Sequence, residues 1–240
     1  MRYIGNKSKL LDFIEEVIKK HKIGGNSFVD LFSGTSSVGD YFKSSYKIIS
    51  NDFMYYSYVF SKAKLLNDSI PKFEEFEEKY SNDVFEWLNK KTFKPNKHFF
   101  IYNNYTPKGN RMFFTESNGL KIDGIRIAIE DLYRDRNITE NEYYFLLASL
   151  LESVTKFSNT SGTYEAFFKF WDSRAEKDFL INPLEFTHKK YNIDKTLLME
   201  ELSKSNEVFV ASAYDVSSYT IPKASNKFIK ILIGYIITDK

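Results

Sequence analysis

Two stretches of this 240-residue chain carry residue types at spacings that could do chemistry. The first is a short apolar run, Phe28-Val29-Asp30-Leu31-Phe32, which leads into Ser33-Gly34-Thr35-Ser36-Ser37-Val38-Gly39; a second run, Ile48-Ile49-Ser50-Asn51, ends at Asp52. A glycine turn at the carboxyl end of a strand lets a ligand approach the backbone, and an acid ending the next strand can accept from both hydroxyls of a ribose. The turn is not the dinucleotide fingerprint, because Gly34 and Gly39 are five apart and G-x-G-x-x-G is absent. Gly5-Asn6-Lys7-Ser8 is not a phosphate loop either, since it lacks the upstream glycine and the preceding strand.

The second stretch lies between Asn89 and Arg111. It holds six basic residues (Lys90, Lys91, Lys94, Lys97, Lys108, Arg111) and no acid, interleaved with Phe93, Phe99, Phe100, Tyr102 and Tyr105. Basic side chains bind phosphates and aromatic faces stack on bases, so this loop-like segment is the best nucleic-acid candidate in the chain. The plainer alternative is a solvated basic loop over a few core aromatics.

These residues need a scaffold, and the pattern predicts one. Leu10, Leu11, Ile14, Val17 and Ile18 recur at helical spacing between Lys9 and Lys20, ahead of the Gly24-Gly25 breaker. Strand, glycine turn, helix, strand and acid then open an α/β sheet. Helices are predicted from after Asp52 to about Leu66, from Phe73 to Tyr80, and along the Ile122, Ile125, Ile129, Leu132 face. A further helix runs from the Thr139–Glu142 capping box towards Phe157. Asn159-Thr160-Ser161-Gly162-Thr163-Tyr164 breaks the pattern and leads into Phe167-Phe168-Lys169-Phe170-Trp171; Val208 to Ala211 and Phe228 to Ile237 read as further strands.

Composition narrows the classes. Aromatic residues reach 18%, with 5 Pro and 10 Gly, which excludes wholesale disorder. There is no Cys, which excludes disulfides and Cys-ligated metal sites, and only His21, His98 and His188 remain, far apart, so zinc and thiol chemistry are not expected. A formal charge of +2 means that any nucleic-acid surface must be local. The first twenty residues are too charged for a signal peptide and no apolar run is long enough to span a bilayer, so the expected location is the cytoplasm, with no membrane partner.

From Arg2 to about Asp215 the chain resembles the Dam-like class of adenine-N6 DNA methyltransferases of restriction-modification systems. Arg2-Tyr3-Ile4-Gly5-Asn6-Lys7 is similar to that family's N-terminal cofactor motif, Phe28 to Gly39 to its S-adenosylmethionine loop, and Asn51-Asp52 to its ribose-binding acid. Arg111-Met112-Phe113-Phe114-Thr115 with Asn118-Gly119, Tyr143 to Glu152, and Asn159 to Tyr164 are similar to its target-recognition region.

The resemblance implies an α/β fold: a Rossmann-like methyltransferase sheet, incomplete here, with a mostly helical DNA-recognition insertion. The implied divisions are residues 1–68, an inserted 69–203, and a return to the sheet over 204–240. S-adenosylmethionine is the implied cofactor, touched by Tyr3, Lys7, Asp30, Gly34 and Asp52. Double-stranded DNA is the implied substrate, met by Lys94, Lys97, Tyr105, Lys108, Arg111, Asn159, Thr160, Thr163 and Tyr164.

The family positions the adenine amine with an Asp-Pro-Pro-Tyr motif whose acceptors aim the nitrogen lone pair at the methyl group. The five prolines here, Pro71, Pro95, Pro107, Pro183 and Pro222, are each isolated, and Ser212 stands where the family usually has an acid. Asp239, after the apolar run Ile231 to Ile237, is the one candidate for a catalytic acid. The expectation is therefore an adenine-specific methyltransferase truncated before its catalytic motif and inactive alone. The alternatives are one chain of a split enzyme, completed by a second chain, or a non-catalytic DNA-binding or interaction module. A companion restriction endonuclease is a further expected partner.

Overall fold

A computed structural model describes residues 7–161 and 166–187 with their side chains, and the backbone of the strand at 209–212. Two compact units divide these residues: Ile70–Leu184 form one, and residues 7–69 with 185–187 and 209–212 form the other.

The second of these units is built on a parallel sheet of order β1-β2-β3, with β1 at Ser27–Asp30, β2 at Lys47–Asp52 and β3 at Phe209–Ser212. Its helices are α1 (Leu11–Lys20), α2 (Ser37–Phe42) and α3 (Tyr55–Leu65). Alternation along β1 and β2 puts Phe28 and Ile48 side by side in register on a buried face. There they join Leu11, Ile18, Val38, Tyr41, Phe42 and Leu65 in one apolar core. Gly39 lets α2 approach closely, because a Cβ there would meet Ile48 and Leu65 side chains at 3.1 Å. Tyr41 stays in this core while its hydroxyl donates to Glu15 of α1 at 2.7 Å.

A buried ion pair lies beside that core. The Lys43 ammonium sits 2.9 Å from the Asp40 carboxylate and donates to the carbonyls of Lys64 (2.7 Å) and Asn67 (2.5 Å). Asp40 also accepts from the Thr187 backbone amide and, at 2.8 Å, from the Thr187 hydroxyl. The chain is thus fixed to α2 where it comes back to this unit.

The Ile70–Leu184 unit is helical: α4 (Glu74–Tyr80), α5 (Val84–Lys90), α6 (Phe100–Asn104), α7 (Glu116–Arg134) and α8 (Glu140–Lys156), with a 3₁₀ turn at Pro107–Gly109. Every member of the predicted apolar face, Ile122, Ile125, Ile129 and Leu132, is buried along α7. The Thr139–Glu142 capping box forms at the start of α8, each side chain bonding the other's backbone N–H. Phe76, Leu88, Phe145, Leu146, Phe179 and Ile181 complete the core. Two predictions need amendment: α5 was not foreseen, and the basic stretch from Asn89 to Arg111 contains a short helix and a 3₁₀ turn rather than loop alone. The run Phe228 to Ile237 lies outside the described residues.

No helix among the described residues is long and apolar enough to cross a membrane, and no group of metal-ligating side chains occurs among them.

Candidate functional site

In a parallel sheet the carboxyl ends of neighbouring strands form the natural ligand crevice. Here they carry Asp30 on β1 and Asp52 on β2, with Ser212 on β3 in register opposite Asp52. The loop after β1 is laced onto the end of β2 by three hydrogen bonds. The Ser33 amide donates to the Asn51 carbonyl (3.0 Å), the Asn51 side chain donates to the Leu31 carbonyl (3.0 Å), and the Gly34 amide donates to the Asp52 carboxylate (2.8 Å). Gly34 has φ +52, the left-handed region that glycine enters without a Cβ penalty, and open space lies where a side chain would be. The other oxygen of Asp52 accepts from the Met54 amide at 3.0 Å, which starts α3.

The electrostatics of this crevice are unusual for a surface. Asp30 is buried, and desolvation pushes its carboxyl up to about 6; the Lys7 charge and the Phe32 amide pull it down, and the Asp52 charge adds to the rise. Only one Asp30 oxygen is used, by the Phe32 amide at 3.3 Å. The second oxygen, with Ser33 Oγ and Asn51 Oδ1, is buried without a hydrogen-bond partner among the described residues. Around these polar atoms stand exposed apolar side chains: Leu31, Phe32, Phe53 (61% exposed), Met54 and Tyr55 (66%). Buried acceptors that lack donors beside apolar rings open to solvent suit a ligand with both polar and flat apolar parts.

In the helical unit, Lys94, Lys97, Lys108 and Arg111 are all exposed, and none has an acidic partner among the described residues. Lys108 lies over the Tyr102 ring at 4.5 Å and Arg111 over the Tyr105 ring at 5.5 Å. The aromatic part is a ladder, Phe100–Tyr105–Phe113–Phe167, with centroid separations of 5.6, 5.3 and 5.0 Å. Asp123 on α7 holds α6 in place by accepting from the Ile101 (3.1 Å) and Tyr102 (2.7 Å) amides; burial raises its pKa.

Asn159, which the family resemblance puts among the DNA-contacting residues, is turned inward here. Its side chain is fully buried: Nδ2 donates to the carbonyls of Met112 (2.9 Å), Phe168 (3.1 Å) and Phe170 (3.0 Å), while Oδ1 accepts from the Asp172 amide (2.9 Å). Both ends of the amide are thus engaged inside the protein. Thr160 is buried beside it, its hydroxyl 3.1 Å from that of Ser158. Tyr3, Thr163, Tyr164 and Asp239 lie outside the described residues.

A sequence model for D12 class N6 adenine-specific DNA methyltransferases matches residues 3–223. The chain belongs to this family. It is 52% identical over 228 residues to modification methylase LlaI of Lactococcus lactis subsp. lactis, an alignment covering 92% of this chain and 36% of that protein. It is 40% identical over 210 residues to type II methyltransferase M.FokI of Planomicrobium okeanokoites, covering 84% and 32%. With type II methyltransferase M.CviAII of Paramecium bursaria Chlorella virus 1 it shares 33% identity over 246 residues, covering 99% and 69%. The chain thus spans about a third of the length of the first two. No solved structure matches it.

In this member of the D12 class, the Gly34 amide is bonded to Asp52, and the charges of Lys7 and Asp52 both act on Asp30. Sequence reasoning missed Asp123 and the Asp40–Lys43 pair.

Proposed function

We propose that this chain binds S-adenosylmethionine across the carboxyl ends of β1 and β2 and duplex DNA on the Ile70–Leu184 unit, within an adenine-specific DNA methyltransferase. The sheet is then a Rossmann-like methyltransferase sheet, into whose sequence the 69–203 recognition region is inserted. The observation that carries the cofactor reading is the Gly34 amide bonded to Asp52 at 2.8 Å. It holds the glycine turn open beside an acid that still has lone pairs to offer a ribose.

The residues present fit the cofactor. Asp52 would accept from the ribose hydroxyls, and the partnerless oxygens of Asp30, Ser33 and Asn51 would receive the donors of its amino-acid end. Phe32, Phe53 and Tyr55 offer apolar faces to its ring, and the two acids suit a cation. The bound cofactor supplies a methyl group on a sulfonium, an electrophile that needs no metal. What this chain contributes is position: the laced loop fixes the strand-end acids, and Lys7 keeps charge near Asp30 in balance. Methyl transfer also needs acceptors that aim the adenine amine, and no Asp-Pro-Pro-Tyr occurs among the 240 residues.

Calorimetric titration tests this with two ligands, S-adenosylhomocysteine and its analogue lacking both ribose hydroxyls. Asp52→Ala should weaken the first at least about tenfold and leave the second nearly unchanged, since one or two hydrogen bonds to a charged group are lost. Equal losses for both would mean that Asp52 only laces the loop. No loss for either would remove the cofactor assignment.

A further inference from the structure

The amide of Asn159 joins two surface segments that are distant in sequence. One nitrogen reaches the carbonyl of Met112, next to Arg111, and those of Phe168 and Phe170. The segment 167–171 is thereby pinned against the segment that carries Arg111, and the Phe113–Phe167 ring contact at 5.0 Å continues the join outward. Phe168 and Phe170 stack on each other at 5.3 Å with an interplanar angle of 17°, while Phe170 remains 66% exposed. Lys169 between them is exposed and has no acidic partner among the described residues. The next basic residue, Arg174, is already neutralised by a two-pronged contact with Asp172 (2.9 and 2.8 Å), so the available cation of this stretch is Lys169.

A large exposed ring, backed by a second ring on a backbone held at three points, is costly to leave in water and cannot fold away. With a free ammonium next to it and the Arg111 guanidinium on the neighbouring segment, the matching partner is an anionic polymer with flat faces. We infer that Lys169 and Phe170 form a second half of the DNA interface, Lys169 meeting a backbone phosphate and Phe170 inserting as a wedge between base pairs, with Asn159 as the positioning residue that makes one surface of the two segments. This rests on the proposed DNA binding of the Ile70–Leu184 unit, and it adds two contacts to it.

The test is fluorescence anisotropy of the full chain with a labelled duplex pool of randomised sequence, over a range of salt concentrations. Both residues are exposed, so their alanine variants should keep the fold, which circular dichroism checks. Lys169→Ala should lower the slope of log Kobs against log salt by about 1. Phe170→Ala should weaken binding about tenfold at unchanged slope, and Phe170→Trp should restore it. If both alanine variants bind as wild type while the Lys94→Ala, Lys97→Ala, Arg111→Ala triple variant loses slope, this inference is overturned and the DNA-binding proposal stands. If that triple variant is also unchanged, or the wild type binds no duplex, both are overturned.

Discussion

Asp30 is a buried carboxyl with an oxygen that no described donor meets, and its pKa of about 6 lies above the usual 3.8. A raised carboxyl pKa means that the folded state binds the proton more tightly than the unfolded one. Its ionised form therefore costs stability above pH 6, and that cost is relieved as pH falls from 6 towards 4. About two pKa units correspond to about 3 kcal/mol. Other carboxylates also respond, Asp123 in the same direction and Glu130, whose pKa is lowered, in the opposite one, so the informative quantity is the difference between wild type and Asp30→Asn. In urea unfolding without ligand, wild type should gain on Asp30→Asn by about 2 kcal/mol between pH 7.5 and pH 4.5. A constant difference across that range would show that Asp30 is not held at such cost. A residue that destabilises its own fold at neutral pH is readily explained if a ligand's donor completes its hydrogen bonding.

At the scale of elements, α6 is five residues long, too short to persist by itself, and it depends on what holds its first turn. Asp123 takes that part from α7, offering one oxygen to the Ile101 amide and the other to that of Tyr102. Replacing it by alanine leaves both amides without an acceptor and should cost about 2 kcal/mol or more. Hydrogen exchange localises the effect: in Asp123→Ala the Ile101 and Tyr102 amides should lose protection while those of α8 keep theirs. Unchanged protection at Ile101 and Tyr102 would remove Asp123 from this role. This dependence was hard to read from sequence, because the acid and the amides it holds are 21 and 22 residues apart. Elements set by local rules were legible: the Thr139 capping box, the 3.6-residue spacing of Ile122, Ile125 and Ile129, and the glycine turn that ends β1.

Across the whole molecule, acids and bases nearly cancel, at 32 against 34. Affinity for DNA must then come from where the bases sit, and the four exposed cations Lys94, Lys97, Lys108 and Arg111 share one stretch without an acid. Removing Lys94, Lys97 and Arg111 together should flatten the salt dependence of duplex binding by a slope of about 3, measured by the same anisotropy titration, while net charge changes only from +2 to −1. An unaltered slope would make this stretch a solvated surface. Strand-end acids and basic clusters could be picked out from sequence because residue type and local order define them. Asn159 could not be assigned correctly, because a polar residue in a break between helices looks the same whether it faces a ligand or ties down the chain. The knot at Asn159 separates holding from reading: its amide binds only main-chain carbonyls and an N–H, which are the same whatever side chains are attached. Residues 169 and 170 could therefore be exchanged for others without disturbing that main-chain anchorage, which makes them positions where sequence preference can drift, or be engineered, while the scaffold is left alone.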